Sequence, residues 1–380
     1  MLLISSRFPF PAIGGDKLKT FNLIKILSKF FDVTFVCLSN KPLNDAEESF
    51  CRQYFAEYKV FVKSNLCSYF KTFLGILSSK PLQVSYYHFN DVQKFIDEQV
   101  PRHDFAINVL IRTSEYLLKH DIPKYLDIVD SIALNYKRSK SKVKSLLWKL
   151  IYKIETRRLY SYEQRCVKAY VNTFFVNRDE SEYWGRFGNT TWIPNGVSPE
   201  LFVYDKKNEN YKNHVAFFGK MDYQPNIDAC FWFVEHVLPK LNEKIKFVIV
   251  GADPSPKILQ LASERIDVVG FISDPYLILK NSLLVAAPMQ TGGGIQNKIL
   301  EAMAIGAVTI TTTLGASPIV GARDGHELLV RDDAAKMADT INDMLENGYK
   351  YDSIKTQAKY FIRNNYTWER YEDSLMKVLS

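Results

Sequence analysis

The sequence predicts an α/β protein built from two doubly wound domains. Three observations carry this expectation. The chain has 380 residues, more than one ordinary hydrophobic core organises, so roughly two domains are expected. Short apolar runs alternate with helically spaced segments, the pattern of parallel sheets covered on both faces. Glycine-bearing loops follow strand candidates in both halves of the chain, as they do in doubly wound sheets.

The first half opens with the apolar run Met1–Ser5, read as a buried strand. The breakers Pro9, Pro11, Gly14 and Gly15 follow, and Leu18, Phe21, Ile24 and Leu27 then recur at helical spacing over 17–30. The span 32–38 is the next strand candidate. Residues 41–95 show no regular pattern. Strands are expected at 105–110, 125–129 and 172–176, with a long helical stretch over about 133–170. The turn Trp192-Ile-Pro-Asn-Gly-Val197 marks the domain boundary. In the second half, strands are expected at 215–218, 246–250, 266–269, 283–287 and 307–311. Helices are expected at 227–241, 257–263, 274–281, 298–305 and 333–346. The amphipathic run 366–379 closes the chain and is expected to cross back onto the first domain. The domains are accordingly 1–190 (with 362–380) and 191–361.

Composition narrows the class. Hydrophobic residues make up 47 % and charged residues 24 %, as in ordinary globular proteins. Cys37, Cys51, Cys67, Cys166 and Cys230 form no C-x-x-C pair or metal-ligand spacing, so reduced thiols in a cytosolic protein are expected. Met1–Ser5 is too short for a secretion-signal core. No apolar run approaches the roughly 20 residues needed to cross a bilayer. The six histidines show no metal-ligand pairing, and neither a metal nor another cofactor is expected. The net charge of +7 is uneven. The interval 137–168 carries Lys137, Arg138, Lys140, Lys142, Lys144, Lys149, Lys153, Arg157, Arg158, Arg165 and Lys168 against Glu155 and Glu163. With Trp148 and several leucines and isoleucines interleaved, it suits an anionic bilayer surface or a solvated helix packed on its own domain. Nucleic acid is not expected, because no recognition motif accompanies the local charge.

The most informative segment is Ala287-Pro-Met-Gln-Thr-Gly-Gly-Gly-Ile-Gln-Asn-Lys-Ile-Leu-Glu-Ala-Met-Ala304. It reads strand, triple-glycine loop, helix. Without a β-carbon, Gly292, Gly293 and Gly294 let backbone N–H groups approach an anion. The loop empties onto a helix N-terminus, where free N–H groups and the helix dipole favour phosphate. Lys298 in the first turn opposes that dipole, which a phosphate above it would balance. Glu301, one turn on, can accept from two vicinal hydroxyls, as on a ribose. The plain alternative is a glycine-rich turn with Lys298 and Glu301 solvated. The segment is neither a Walker loop nor the G-x-G-x-x-G fingerprint.

This segment resembles the donor-binding motif of retaining glycosyltransferase family 4, and within it a bacterial exopolysaccharide-type subgroup whose motif reads close to G-I-Q-N-K-[VIL]-L-E-A-M-A. Three further segments resemble the family in the same order: Arg7-Phe-Pro-Phe-Pro-Ala-Ile-Gly-Gly-Asp-Lys-Leu-Lys-Thr-Phe-Asn22, Ile193-Pro-Asn-Gly-Val197 and Phe217-Phe-Gly-Lys-Met-Asp-Tyr-Gln-Pro-Asn-Ile-Asp228. The resemblance implies the GT-B fold, two Rossmann-like domains facing across a cleft. It implies donor contacts from Gly14, Gly15, Gly219, Lys220, Phe271, Gly292, Gly293, Gly294, Ile295, Gln296, Asn297, Lys298 and Glu301. Two positions depart from the pattern. A second acidic residue eight positions before Glu301 is replaced by Gly293, with Gln290 or Gln296 as substitutes. A second lysine after Lys220 is replaced by Asn226.

On the acceptor side the resemblance suggests Asp130 as a catalytic or acceptor-contacting residue, with capping of the following helix as the structural alternative. Asp127 and Asp130 end the strand Tyr125–Val129 and are expected to face the cleft. Arg112 is expected either to hold an acceptor phosphate or to orient Asp130, and Asp16 to cap the helix after Gly15. The implied activity is sugar transfer from a nucleoside diphosphate sugar to a hydroxyl of a glycan or lipid-linked acceptor, with retention, in surface-polysaccharide synthesis. Asp130, Lys298 and Glu301 are the catalytic candidates. Two alternatives stay open: a nucleotide-sugar epimerase of the same fold and a non-catalytic scaffold. A cytoplasmic place is expected, with peripheral attachment at the inner face of the plasma membrane as the further option.

Overall fold

The computed structural model describes residues 1–139 and 146–380, with the side chains of 138, 139 and 146–151 outside the description. The chain divides into two compact units, Met1–Ile193 and Pro194–Ser380. The break falls inside the expected Trp192–Val197 turn, three residues later than placed from sequence. Residues 362–380, expected on the first domain, group with the second unit.

The first unit is a parallel sheet of seven strands in the order β3-β2-β1-β4-β5-β6-β7. These are β1 (Leu2–Ser5), β2 (Thr34–Ser39), β3 (Glu57–Val62), β4 (Ala106–Val109), β5 (Lys124–Val129), β6 (Asn172–Phe175) and β7 (Thr190–Trp192). Helices α1 (Gly15–Phe30), α2 (Asp45–Tyr54), α3 (Asn65–Gly75), α4 (Leu82–Tyr87), α5 (Asn90–Gln99), α6 (Ile132–Ser139), α7 (Leu146–Ala169) and α8 (Arg178–Trp184) connect them. Central strands β1, β4 and β5 are buried throughout, as expected of strands covered on both faces.

The apparently irregular stretch 41–95 holds regular structure. β3 is an edge strand whose residues are exposed or half-buried, so it lacks the apolar run that marks an inner strand. Within the expected helical stretch 133–170, the described residues form α6 and α7. Part of the basic interval, Lys140, Lys142 and Lys144, lies outside the described residues.

The second unit is a parallel sheet of six strands, β10-β9-β8-β11-β12-β13. They are β8 (His214–Phe218), β9 (Lys246–Val250), β10 (Ile266–Gly270), β11 (Leu284–Ala287), β12 (Thr309–Thr311) and β13 (Leu329–Val330). The helices are α9 (Gln224–Trp232), α10 (Pro256–Leu259), α11 (Tyr276–Asn281), α12 (Asn297–Ala304), α13 (Thr313–Ala316), α14 (Ala334–Glu346), α15 (Asp352–Asn365) and α16 (Trp368–Leu379). One large core packs Phe217, Phe233, Phe247, Ile249 and Ile310 between sheet and helices.

Both sheets run outward from their first strand in one direction and then jump back across it. The direction therefore reverses between β1 and β4 in one unit and between β8 and β11 in the other. Loops at the carboxyl ends of such strand pairs splay apart, and open α/β sheets take their ligands there. Among the described residues no helix is long and apolar enough to cross a membrane.

Candidate donor site

The loops leaving β8 and β11 meet at the reversal point of the second sheet. After β8 the chain turns through Gly219 at φ +156°. A β-carbon there would stand 2.7 Å from Asn226 Nδ2 and 3.3 Å from Lys298 Cε, so glycine is what lets the two loops close up. Gly251, after β9, is tighter still: its β-carbon would come within 1.6 Å of the Gly219 carbonyl oxygen.

From β11 the chain runs through Pro288–Gln296 into α12. Gly292 has φ +95°, a conformation costly for other residues. Thr312 Oγ1 donates to the Met289 carbonyl at 2.8 Å, and Thr291 Oγ1 donates to Asp228 Oδ2 at 3.1 Å. Gln296 Nε2 donates to the Gly294 carbonyl at 3.0 Å. The loop is thus fixed from both sides. α12 begins at Asn297 with Gln296 as its N-cap, and that cap side chain makes no bond to the helix N–H groups. Asn297 Oδ1 accepts from Asn195 Nδ2 at 2.9 Å. Asn195 belongs to the Pro-Asn-Gly signature, where Gly196 lies flat on Thr367–Trp368: a β-carbon would meet the Trp368 nitrogen at 2.3 Å.

Lys298 is buried. Its Nζ donates to Asn226 Oδ1 at 2.5 Å and to Gln296 Oε1 at 3.2 Å and stands 5.1 Å from the centre of the Phe217 ring. The solvated alternative for this lysine is therefore excluded. Burial lowers its pKa to about 8 against the attraction of Glu301. Glu301 accepts from Tyr276 Oη at 3.4 Å, and burial pushes its carboxyl up to about 7. The site thus holds one cation and one carboxyl group in a desolvated place beside glycine N–H groups. An ammonium there can meet a phosphate, and a carboxylate can accept from hydroxyls.

Lys220 stands at the same reversal point, with Nζ 2.7 Å from Asp222 and 3.3 Å from Asp253. Both carboxylates hold it in the charged form. Asn226, which sequence reasoning recorded only as a missing lysine, is a central residue: it accepts from Lys298 and donates to the Lys220 carbonyl at 2.8 Å. Tyr276 was also missed. Position carried the only available signal, since Asn226 lies in the first turn of α9, the helix after β8, and Tyr276 opens α11. Gln290 donates to the Pro288 carbonyl at 3.1 Å. Ile295 is buried. Phe271, immediately after edge strand β10, is exposed and lies two strands away from β8.

In the first unit, Gly14, Gly15 and Asp16 follow β1 and Arg112 follows β4, at the reversal point, whereas Asp127 lies on β5 and Asp130 just after it, one strand further on. Gly14 has φ +99° and is itself the N-cap of α1, so Asp16 is not the cap. Asp16 instead forms an ion pair with Arg7 at 2.6 Å. Arg112, after β4, donates from Nε to Gln83 Oε1 at 3.1 Å. Burial and the nearby Arg7 guanidinium lower its pKa. Asp127 does not face outward: it is fully buried in mid-strand and paired with buried Lys19. Asp130 follows Val129, whose φ of +65° is strained for a β-branched residue. Ser131 Oγ caps α6, accepting from the Leu134 N–H at 3.2 Å. Glu163 accepts from the Ala133 N–H at 2.9 Å and Glu180 from the Ser131 N–H at 2.7 Å. Two carboxylates thus occupy the start of α6, where an anion would otherwise sit.

Residues 212–347, most of the second unit, match the family model described as glycosyl transferases group 1. The whole chain has the GT-B fold of glycosyltransferases, and family match and fold together support a glycosyltransferase. Three solved structures illustrate the fold. HepE of Anabaena, in complex with UDP and glucose, aligns with a TM-score of 0.69 at 14 % identity over 100 % of this chain and 98 % of that one. Sucrose-phosphate synthase of Thermosynechococcus elongatus gives the same score, identity and coverage. WaaG, a glycosyltransferase involved in lipopolysaccharide biosynthesis, aligns at 0.69 with 12 % identity, covering 100 % of this chain and 99 % of that one. No curated protein matches the sequence.

Proposed function

We propose that the protein transfers a sugar from a nucleoside diphosphate sugar, with UDP as the first nucleotide to test, to a hydroxyl of a glycan or lipid-linked acceptor. One observation carries the reading: the Gly292–Gly294 loop, the start of α12 and buried Lys298 converge beside Glu301 at the reversal point of the second sheet. In the proposed reaction the bond from the anomeric carbon to the diphosphate oxygen breaks and a bond to the acceptor oxygen forms. The nucleoside diphosphate departs, its developing charge met by loop N–H groups, Lys298 and Lys220. The acceptor proton passes to the leaving phosphate, so no strong protein base is needed and no metal is invoked.

Retention at the anomeric carbon, a role in bacterial surface-polysaccharide synthesis, and a cytoplasmic or peripheral place are parts of the same proposal. They rest on the family resemblance of the donor motif. On the acceptor side, Asp130 and the Arg7–Asp16–Arg112 group are assigned to the first unit. TarM of S. aureus, a structural neighbour at 12 % identity, forms a complex with fondaparinux, α-GlcNAc-glycerol and UDP, which favours glycan acceptors as the first class to screen. The basic interval 137–168 is proposed to face an anionic bilayer.

The test is release of nucleoside diphosphate from UDP- and GDP-sugars with and without acceptor. Release that requires acceptor supports transfer. An altered sugar formed from donor alone would establish the epimerase instead, and no turnover with intact donor binding would establish the scaffold.

A further inference from the structure

Helix α3 is amphipathic in the wrong sense for a helix on a globular surface. Its buried residues are Ser68 and Gly75. A β-carbon on Gly75 would stand 2.5 Å from Ser85 Oγ, so the small side of α3 lies close against α4. The opposite side, continued by the following turn, presents Leu66, Tyr69, Phe70, Phe73, Leu74 and Leu77, all exposed. Their spacing places them along one stripe. Leu66 is 82 %, Phe73 68 % and Leu77 95 % exposed. A contiguous apolar patch of this kind marks an interaction surface.

The surroundings of the patch are basic. Arg158 of α7 donates to the Ile76 carbonyl at 2.7 Å, and Glu155 of α7 accepts from the Leu82 N–H at 2.6 Å, so α7 lies beside the end of α3. Where α7 lies beside α3, Glu155 is buried, whereas Lys153 and Arg157 are exposed. Glu115, also buried, is bonded by Lys80 and Arg165. A second copy of the chain would bring like charge against like charge. An anionic lipid surface satisfies both features at once: acyl chains take the apolar stripe, and headgroups meet the lysines and arginines. Tyr69 suits the boundary between them, with an apolar ring and a polar tip.

We propose that α3 and the turn after it insert into the surface of an anionic bilayer and anchor the first unit there. The proposal rests on the peripheral-membrane part of the proposed function for its basic rim and is independent of the donor chemistry.

Co-sedimentation of the full chain with phosphatidylcholine vesicles, with and without phosphatidylglycerol, tests it. The chain is expected to bind vesicles containing phosphatidylglycerol. The Phe70→Ser/Phe73→Ser variant should bind about 10-fold or more weakly, with its melting temperature and its response to UDP unchanged because both side chains are exposed. Phe70→Trp should show a fluorescence blue shift on adding the same vesicles. Unchanged binding by Phe70→Ser/Phe73→Ser would overturn the proposal. If Lys153→Glu/Arg157→Glu then abolished binding, the basic-surface reading would survive without α3. A wild-type chain that stays in the supernatant overturns both. Conversion of a dimer to a monomer by Phe70→Ser/Phe73→Ser, without vesicle binding, would assign the stripe to a second copy instead.

Discussion

Lys298 and Glu301 sit one helical turn apart with their pKa values drawn toward each other, the lysine down to about 8 and the glutamate up to about 7. Burial is the larger cause for both, so each disfavours its own charge more than it is helped by the other. The signs follow by linkage. Between the ordinary carboxylate range and about pH 7 the folded state binds more protons at Glu301 than the unfolded state, so stability falls as pH rises. Above about pH 8 the unfolded state holds the lysine proton longer, so stability rises with pH. The empty site is therefore at its least stable between these values, where both groups are charged. A diphosphate and a sugar hydroxyl satisfy those two charges. Affinity for UDP, measured by calorimetry, is expected to be greatest between about pH 7 and about pH 8 and to fall on both sides. Glu301→Gln should stabilise the empty protein in that window by on the order of 1–3 kcal/mol, with the gain shrinking toward about pH 5. A Glu301→Gln protein less stable than wild type across the whole range would contradict this. Lys298→Ala should weaken UDP binding by about 2–3 kcal/mol while the protein remains folded.

At the level of elements, the close approach of β8 and β9 depends on two glycines. The Gly251 β-carbon position coincides with the Gly219 carbonyl, so Gly251→Ala must force the strands apart and displace Gly219 and Asn226 with them. A loss of about 3 kcal/mol or more in unfolding free energy is expected, together with loss of UDP binding. Gly270 is the control: it has φ +73° but nothing within 4 Å of its β-carbon position, so Gly270→Ala should cost about 1 kcal/mol and leave UDP binding intact. This contrast also marks the limits of the sequence. The inner strands were legible because they are continuous apolar runs, and the donor loop because three adjacent glycines precede a helix. Edge strand β3 was not, since most of its residues face solvent, nor was α15, which lay between two better-patterned segments. Asp127 reads as a strand-end acid, but its pairing with Lys19 is a contact between residues 108 positions apart, which no local pattern encodes. The same applies to Asn226: its value lies in a bond to Lys298, 72 residues away.

Over the whole molecule, two sheets share one strand order and two reversal points, but the two reversal points are furnished differently. The second unit presents backbone N–H groups, a buried ammonium and a carboxyl group. The first presents Arg7, Asp16 and Arg112, and one strand further on, after β5, the start of α6 is filled by Glu163 and Glu180. The start of α6 is thereby closed to an anion, whereas α1, which leaves β1 at the reversal point, starts at Gly14 with no side-chain cap, near the Arg7 and Arg112 side chains. Two guanidiniums against one carboxylate leave a surplus positive charge beside Gln83. If donor and acceptor duties are divided in this way, substitutions in the two units separate kinetically. Arg112→Ala should raise the acceptor KM about 10-fold or more, while the UDP-induced rise in melting temperature matches wild type. Lys298→Ala should sharply reduce that rise. The measurement is a thermal shift with UDP on both variants, paired with acceptor titrations at saturating donor. An Arg112→Ala protein that loses the UDP response would place the arginine on the donor side and undo the division.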